Sequence, residues 1–223
     1  MEPLAYRMKP TKLEDFFGQE DIVGKDKLLY RLIKADKLTS AIFWGPPGCG
    51  KTSLARVIAS TTKNKFVTLN ATTAGVADIK NVVEQAQNIF TNPTGKVILF
   101  IDEIHRFNKL QQDALLPHVE KGTVILIGAT TENPYFSVNK ALISRSTIFK
   151  FKELGEEDVL KILKNCINNK EHGLGNYNLE INEDALKYIA MCSNGDVRTA
   201  LNALELAVIT TEMNEEGKIT GLF

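Results

Sequence analysis

The chain has 223 residues, of which 43% are hydrophobic and 24% charged; this is an ordinary globular composition, and it excludes a disordered or fibrous protein. Lys+Arg and Asp+Glu balance at 27 each, so no global basic field draws the chain to nucleic acid or to an anionic membrane, and any DNA contact must be local or made by an assembly. Cys49, Cys166 and Cys192 are too few and too scattered for a disulfide framework or a zinc site. The N-terminus has no apolar signal core, and no run approaches the ~18 apolar residues of a membrane span. The expectation is a cytoplasmic protein without membrane contact, in a reducing compartment. The length suits one large domain followed by a small one.

In chain order, a basic N-terminal region carrying Lys9, Lys12, Lys25, Lys27, Arg31, Lys34 and Lys37 reads as a solvated face. Strands are then predicted at Ala41–Trp44, Phe66–Leu69, Val97–Ile101, Val124–Ile127 and Thr147–Phe151. The third and fourth are almost continuously apolar, as strands buried on both faces are. Between the strands, Thr52–Thr61, Ala77–Phe90 and Asn108–Leu116 carry apolar residues at helical spacing. This βαβα alternation predicts an α/β domain with a parallel sheet sandwiched by helices, over residues 1–152. After residue 152 no further strands are expected. Glu156–Asn168, a helix capped by Asn182, and a third from about Asp196 to Thr210 form a helical domain over residues 153–223, with a loop at Glu171–Leu179.

The segment Gly45-Pro46-Pro47-Gly48-Cys49-Gly50-Lys51-Thr52 follows a predicted strand and opens a predicted helix beginning at Ser53. That is the context the phosphate-loop pattern requires. Its glycines let consecutive backbone N–H groups point inward at the positive end of a helix dipole. Lys51 supplies a point charge for the β- and γ-phosphates, and Thr52 a hydroxyl for magnesium. Five apolar residues, Val97 to Ile101, lead into Asp102-Glu103, so both carboxylates are expected where a buried strand emerges at its carboxyl end. Asp102 is the candidate second holder of the metal, and Glu103 the candidate for orienting the attacking water. His105 and Arg106 read either as partners of this acidic pair or as a solvated helix start. The next strand ends in Ala129-Thr130-Thr131-Glu132-Asn133, where a polar side chain could reach the γ-phosphate or the water.

These residues resemble an AAA+ ATPase of the clamp-loader clade. More closely, they resemble the replication-associated recombination protein A family and its eukaryotic relative, the Werner-helicase-interacting ATPase. The stretches that carry the likeness are RMKPTKLEDFFGQEDIVG, FWGPPGCGKTSLA, LFIDEIHRFNKLQQDALLPHVE, LIGATTENPYFSVNKALISRS and GDVRTALNALELA, which together span nearly the whole chain. The resemblance implies a five-stranded AAA+ domain followed by a three-helix lid. It implies ATP and Mg²⁺ as cofactors, with Gly45 through Ser53 on the nucleotide. Thr131 becomes sensor 1, Arg145 an arginine finger for the neighbouring subunit's γ-phosphate, and Arg198 sensor 2. Residues 7–23 are expected to cover the adenine, with Pro10 and Val23 singled out.

The activity so implied is an ATP-hydrolysing motor acting on single-stranded, gapped or fork-like DNA in replication-fork maintenance, recombination and repair. It would work as a homo-oligomer, with single-strand-binding or replisome proteins as partners. A Holliday-junction branch-migration ATPase, which also carries a DEIHR string, and a clamp-loader-like switch subunit without turnover remain as alternatives. Two departures from the family stand out. Cys49 replaces the more usual Thr and, beside a helix start and Lys51, is expected to be alkylated unless nucleotide covers it. The family's C-terminal oligomerisation domain is expected beyond the point where this sequence stops, which makes the chain a fragment or a truncated form.

Overall fold

Each of the five apolar runs becomes a strand. The computed structural model describes residues 2–87, 92 and 94–212, and the backbone of 219–220. In chain order the elements are α1 (Leu4–Arg7), α2 (Glu20–Val23), α3 (Leu28–Lys34), β1 (Ala41–Trp44), α4 (Lys51–Thr61), β2 (Lys65–Asn70), α5 (Val76–Gln87), β3 (Val97–Asp102), α6 (Lys109–Glu120) and β4 (Val124–Thr130). They continue with α7 (Pro134–Ser137), α8 (Lys140–Ile143), β5 (Thr147–Lys150), α9 (Glu156–Asn168), β6 (Leu179–Glu180), α10 (Glu183–Cys192), α11 (Val197–Thr210) and β7 (Ile219–Thr220). Two 3-10 turns, Leu13–Asp15 and Ile104–Arg106, complete the set. The chain forms two compact units, one of Gln19–Pro46 and Gly50–Phe151, the other of Met1–Gly18, Pro47–Cys49 and Lys152–Phe223.

The first unit is built on a five-stranded sheet in the order β2-β3-β4-β1-β5, parallel throughout. Val97, Leu99 and Ile101 of β3 pack in one core with Ile79, Val82, Val83 and Ala86 of α5 and with Leu115 and Val119 of α6. The alternate residues Ile98 and Phe100 are also at most 2% exposed. β3 is therefore buried on both faces, which is why it reads as an unbroken apolar run. β4 outlasts its expected end at Ile127, because Gly128, Ala129 and Thr130 still find partners in Ile42, Phe43 and Trp44. The parallel order places the carboxyl ends of β1, β3 and β4 at one edge, where a doubly wound sheet collects its ligands.

The second unit is helical. Val159, Leu163 and Cys166 of α9 form a core with Leu186, Ile189 and Ala190 of α10 and with Ala200, Leu201, Leu204 and Val208 of α11. Burial pushes the Cys166 thiol up to about 12. The N-terminal segment departs from the expected domain boundary. Leu4 is fully buried in this helical core, its N–H donates to Glu205 Oε2 at 3.0 Å, and Arg7 donates to the His172 carbonyl at 2.8 Å. Residues 1–18 thus belong with the helices and not with the sheet, because an apolar Leu and an Arg–Glu pair tie them there.

Strands also do not stop at residue 152, since β6 pairs in parallel with β7. α6 runs past the expected end at Leu116 to Glu120, taking Pro117 within it. The last residues expected in the helix Ala77–Phe90 lie outside the described residues. No helix among those described is long and apolar enough to cross a membrane.

Candidate nucleotide-binding site

The loop between β1 and α4 turns on glycine. Gly48 and Gly50 have φ of 69° and 102°, in the left-handed region that side chains other than glycine's rarely adopt. At Gly45 space is the constraint, because a Cβ would stand 2.5 Å from the Phe151 carbonyl oxygen and 2.7 Å from Phe151 Cβ. Lys51, the first residue of α4, is only 6% exposed, and its Nζ donates to the Gly45 carbonyl at 2.7 Å and the Pro46 carbonyl at 2.6 Å. An ammonium is thereby held over the loop by backbone dipoles, at the start of α4.

Next to it the exposed Thr52 hydroxyl donates to Asp102 Oδ2 at 3.2 Å. A hydroxyl from α4 and a carboxylate from the end of β3 thus present hard oxygen atoms to one point, the donor type that suits Mg²⁺. Among the described residues no group of three or more His, Cys, Asp or Glu side chains could hold a metal. A Mg²⁺ held here would complete its shell with phosphate oxygens and water, as this reluctantly dehydrated ion usually does.

Glu103 follows Asp102 with φ of 56°, and this left-handed residue starts the 3-10 turn Ile104–Arg106. His105 in that turn is the partner of Glu103, the second residue of the acidic pair. Its Nε2 lies 3.2 Å from Glu103 Oε2, and its Nδ1 lies 2.9 Å from Thr130 Oγ1. Arg106 is exposed. Thr130 is fully buried, whereas Thr131, the candidate sensor, is exposed just beyond the end of β4.

Lys51, Thr52, Asp102, Glu103 and Thr131 therefore gather at one edge of the sheet. Arg145 does not. It lies two residues before β5, whose Thr147 is opposite Ala41 at the start of β1, so it sits at the other edge, about 13 Å of strand from Gly45. There its guanidinium pairs with Glu120 at 2.7 Å and donates to the Ala141 carbonyl at 2.9 Å. Arg198 is exposed in the first turn of α11, where its N–H donates to the capping Asp196 at 2.9 Å. Pro10 belongs to the helical unit and Val23 closes α2 in the sheet unit. Cys49 is fully buried, where the sequence suggests a thiol open to alkylation. Thr130 was missed, because two adjacent threonines at a strand end give no sign of which one faces the core.

A loop of this build on an α/β sheet defines a class of nucleotide-binding ATPase, and residues 41–154 match the model of the ATPase family associated with various cellular activities (AAA). The chain belongs to that family. Residues 175–221 match the AAA C-terminal domain. The chain is 50% identical over 216 residues to Replication-associated recombination protein A of Coxiella burnetii, covering 97% of this chain and 48% of that protein. It is 46% identical over 207 residues to the ATPase WRNIP1 of Dictyostelium discoideum, covering 92% and 23%. The solved RuvB Holliday junction branch migration motor of Thermotoga maritima is similar with a TM-score of 0.74 at 25% identity, covering 96% of this chain and 70% of that one. The chain spans about half the length of the bacterial relative.

Proposed function

We propose that this chain is the ATP-hydrolysing core of an assembly that acts on DNA in replication-associated recombination and repair, each site being completed by a neighbouring copy. The observation that carries the reading is the division of the machinery between two edges of one sheet. Lys51, Thr52, Asp102 and Glu103 share the carboxyl edge, and Arg145 stands at the opposite edge, on the far side of β1 from Gly45. An arginine so placed serves a site other than its own, and one that reaches a γ-phosphate is worth 10³–10⁵ in rate. Tyr135 and Phe136, in the segment that leads to Arg145, are 58% and 90% exposed, apolar area that a neighbouring copy would cover.

In this reading Lys51 exchanges its two carbonyl partners for the β- and γ-phosphates, and Thr52 and Asp102 hold Mg²⁺. The ion, when bound, offsets charge on the phosphate oxygens. Glu103 orients the attacking water, Thr131 senses the γ-phosphate, and Arg198 contributes from the helical unit. Pro10 and Val23 serve the adenine side. The 50% identity to Replication-associated recombination protein A, against 25% to the branch migration motor, favours this assignment over branch migration.

The test is Mg²⁺-dependent ATP hydrolysis against protein concentration, with and without gapped DNA, for the wild-type chain and Arg145→Ala. Specific activity that rises with concentration and DNA, and stays flat in Arg145→Ala, is the expected result. Nucleotide binding without turnover under every condition would instead identify an incomplete motor core or a switch subunit.

A further inference from the structure

One side chain joins the ends of two strands at the site. His105 exposes 9% of its side chain and is gripped on both ring nitrogens, by Glu103 Oε2 at 3.2 Å from Nε2 and by Thr130 Oγ1 at 2.9 Å from Nδ1. A second carboxylate oxygen, Glu132 Oε1, lies 3.8 Å from Nε2. Thr130 is itself fixed, being fully buried and accepting the Glu132 N–H at 3.0 Å. Glu103 sits in the left-handed region, a conformation that is strained for a non-glycine residue and persists only where its surroundings hold it. The partners set the ring's protons. A carboxylate can only accept, so Nε2 carries the hydrogen toward Glu103, while the Thr130 hydroxyl, which also donates to the Glu132 carbonyl at 3.3 Å, faces Nδ1.

We propose that His105 is a positioning residue for ATP hydrolysis. It holds the Glu103 carboxylate through Oε2, leaves Oε1 to accept from the attacking water, and fixes its place against the end of β4, one residue from Thr131. This rests on the reading of Glu103 as the group that orients water. A catalytic group misplaced by about 1 Å can cost on the order of 10²-fold in rate, which sets the scale of the effect.

The experiment compares His105→Ala, His105→Gln, His105→Asn and Glu103→Gln with the wild-type chain, reading affinity for a fluorescent ATP analogue, KM and kcat separately. His105→Ala is expected to lower kcat about 10- to 100-fold with KM and affinity unchanged. Gln, whose amide nitrogen reaches the place of Nε2, restores part of the loss. Asn, whose amide nitrogen reaches only the place of Nδ1, does not. An unchanged or raised kcat in His105→Ala, or equal rescue by Asn and Gln, overturns the proposal. A wild-type chain without turnover, or full turnover in Glu103→Gln, defeats the reading of Glu103 instead. The ring ¹⁵N resonances of His105 then decide: Glu103→Ala must shift them, and resonances that stay in place overturn the contact itself.

Discussion

At the scale of single residues, the phosphate loop is constrained by space as much as by charge. Gly45 leaves β1 directly against the Phe151 backbone, so Gly45→Ala must push one chain segment away from the other. Overpacking of this kind costs about 1–3 kcal/mol, and a chain of this length should lose roughly 2–4 °C of melting temperature per kcal/mol. A calorimetric scan with ATP-analogue binding measured alongside checks both expected effects, a lower melting temperature and weaker binding. Lys51, Thr52 and Asp102 were legible in the sequence because each lies in a contiguous motif bracketed by a strand and a helix. Cys49 shows the limit of such reading. Its position beside a helix start and a lysine suggests a reactive thiol, but reactivity also needs access, and burial is a property of the packed fold. For His105 the sequence leaves two readings open, and Thr130, 25 residues later in the chain, decides between them by lying against its ring.

At the scale of elements, α6 positions the segment that carries Arg145. Its N-terminus is closed by a capping box between Asn108 and Gln111, which satisfies two otherwise orphaned N–H groups. From its second turn the buried Gln112 donates to the Phe107 and Ser137 carbonyls at 3.0 and 3.2 Å and accepts the Asn139 N–H at 2.7 Å. One side chain thus ties α6 to both α7 and α8. Gln112→Leu leaves those backbone groups unpaired, at a cost of about 1–3 kcal/mol. The expected outcome is a lower urea midpoint together with a smaller Arg145-dependent share of the turnover, while affinity for the ATP analogue is kept. The long elements were readable because three or more turns establish a period. α7 and α8 were not, since four residues make barely one turn and their placement comes from hydrogen bonds to Gln112 and Asp113. The continuation of α6 through Pro117 escaped for a related reason, because packing of Leu115 and Val119 outweighs the one backbone bond a proline removes.

At the scale of the whole molecule, sheet order decides what the chain does alone and what it does in company. The sequence pattern foretold a parallel sheet of five strands, but the order β2-β3-β4-β1-β5 and the register of Thr147 against Ala41 come from long-range pairing. Those two facts put Lys51 and Arg145 at opposite edges. The docking of α1 into the helical core, through Leu4 and the Arg7–Glu205 pair, was likewise invisible in a segment only four residues long. The central claim is that Arg145 of one copy completes the site of the next, and mixing tests it most directly. Glu103→Gln and Arg145→Ala are each expected to be inactive alone. An equimolar mixture should recover about a quarter of the wild-type rate, since in a head-to-tail assembly half the sites keep Glu103 and half the fingers facing them keep Arg145. A mixture as inactive as its components, or an Arg145→Ala chain active by itself, would contradict the account.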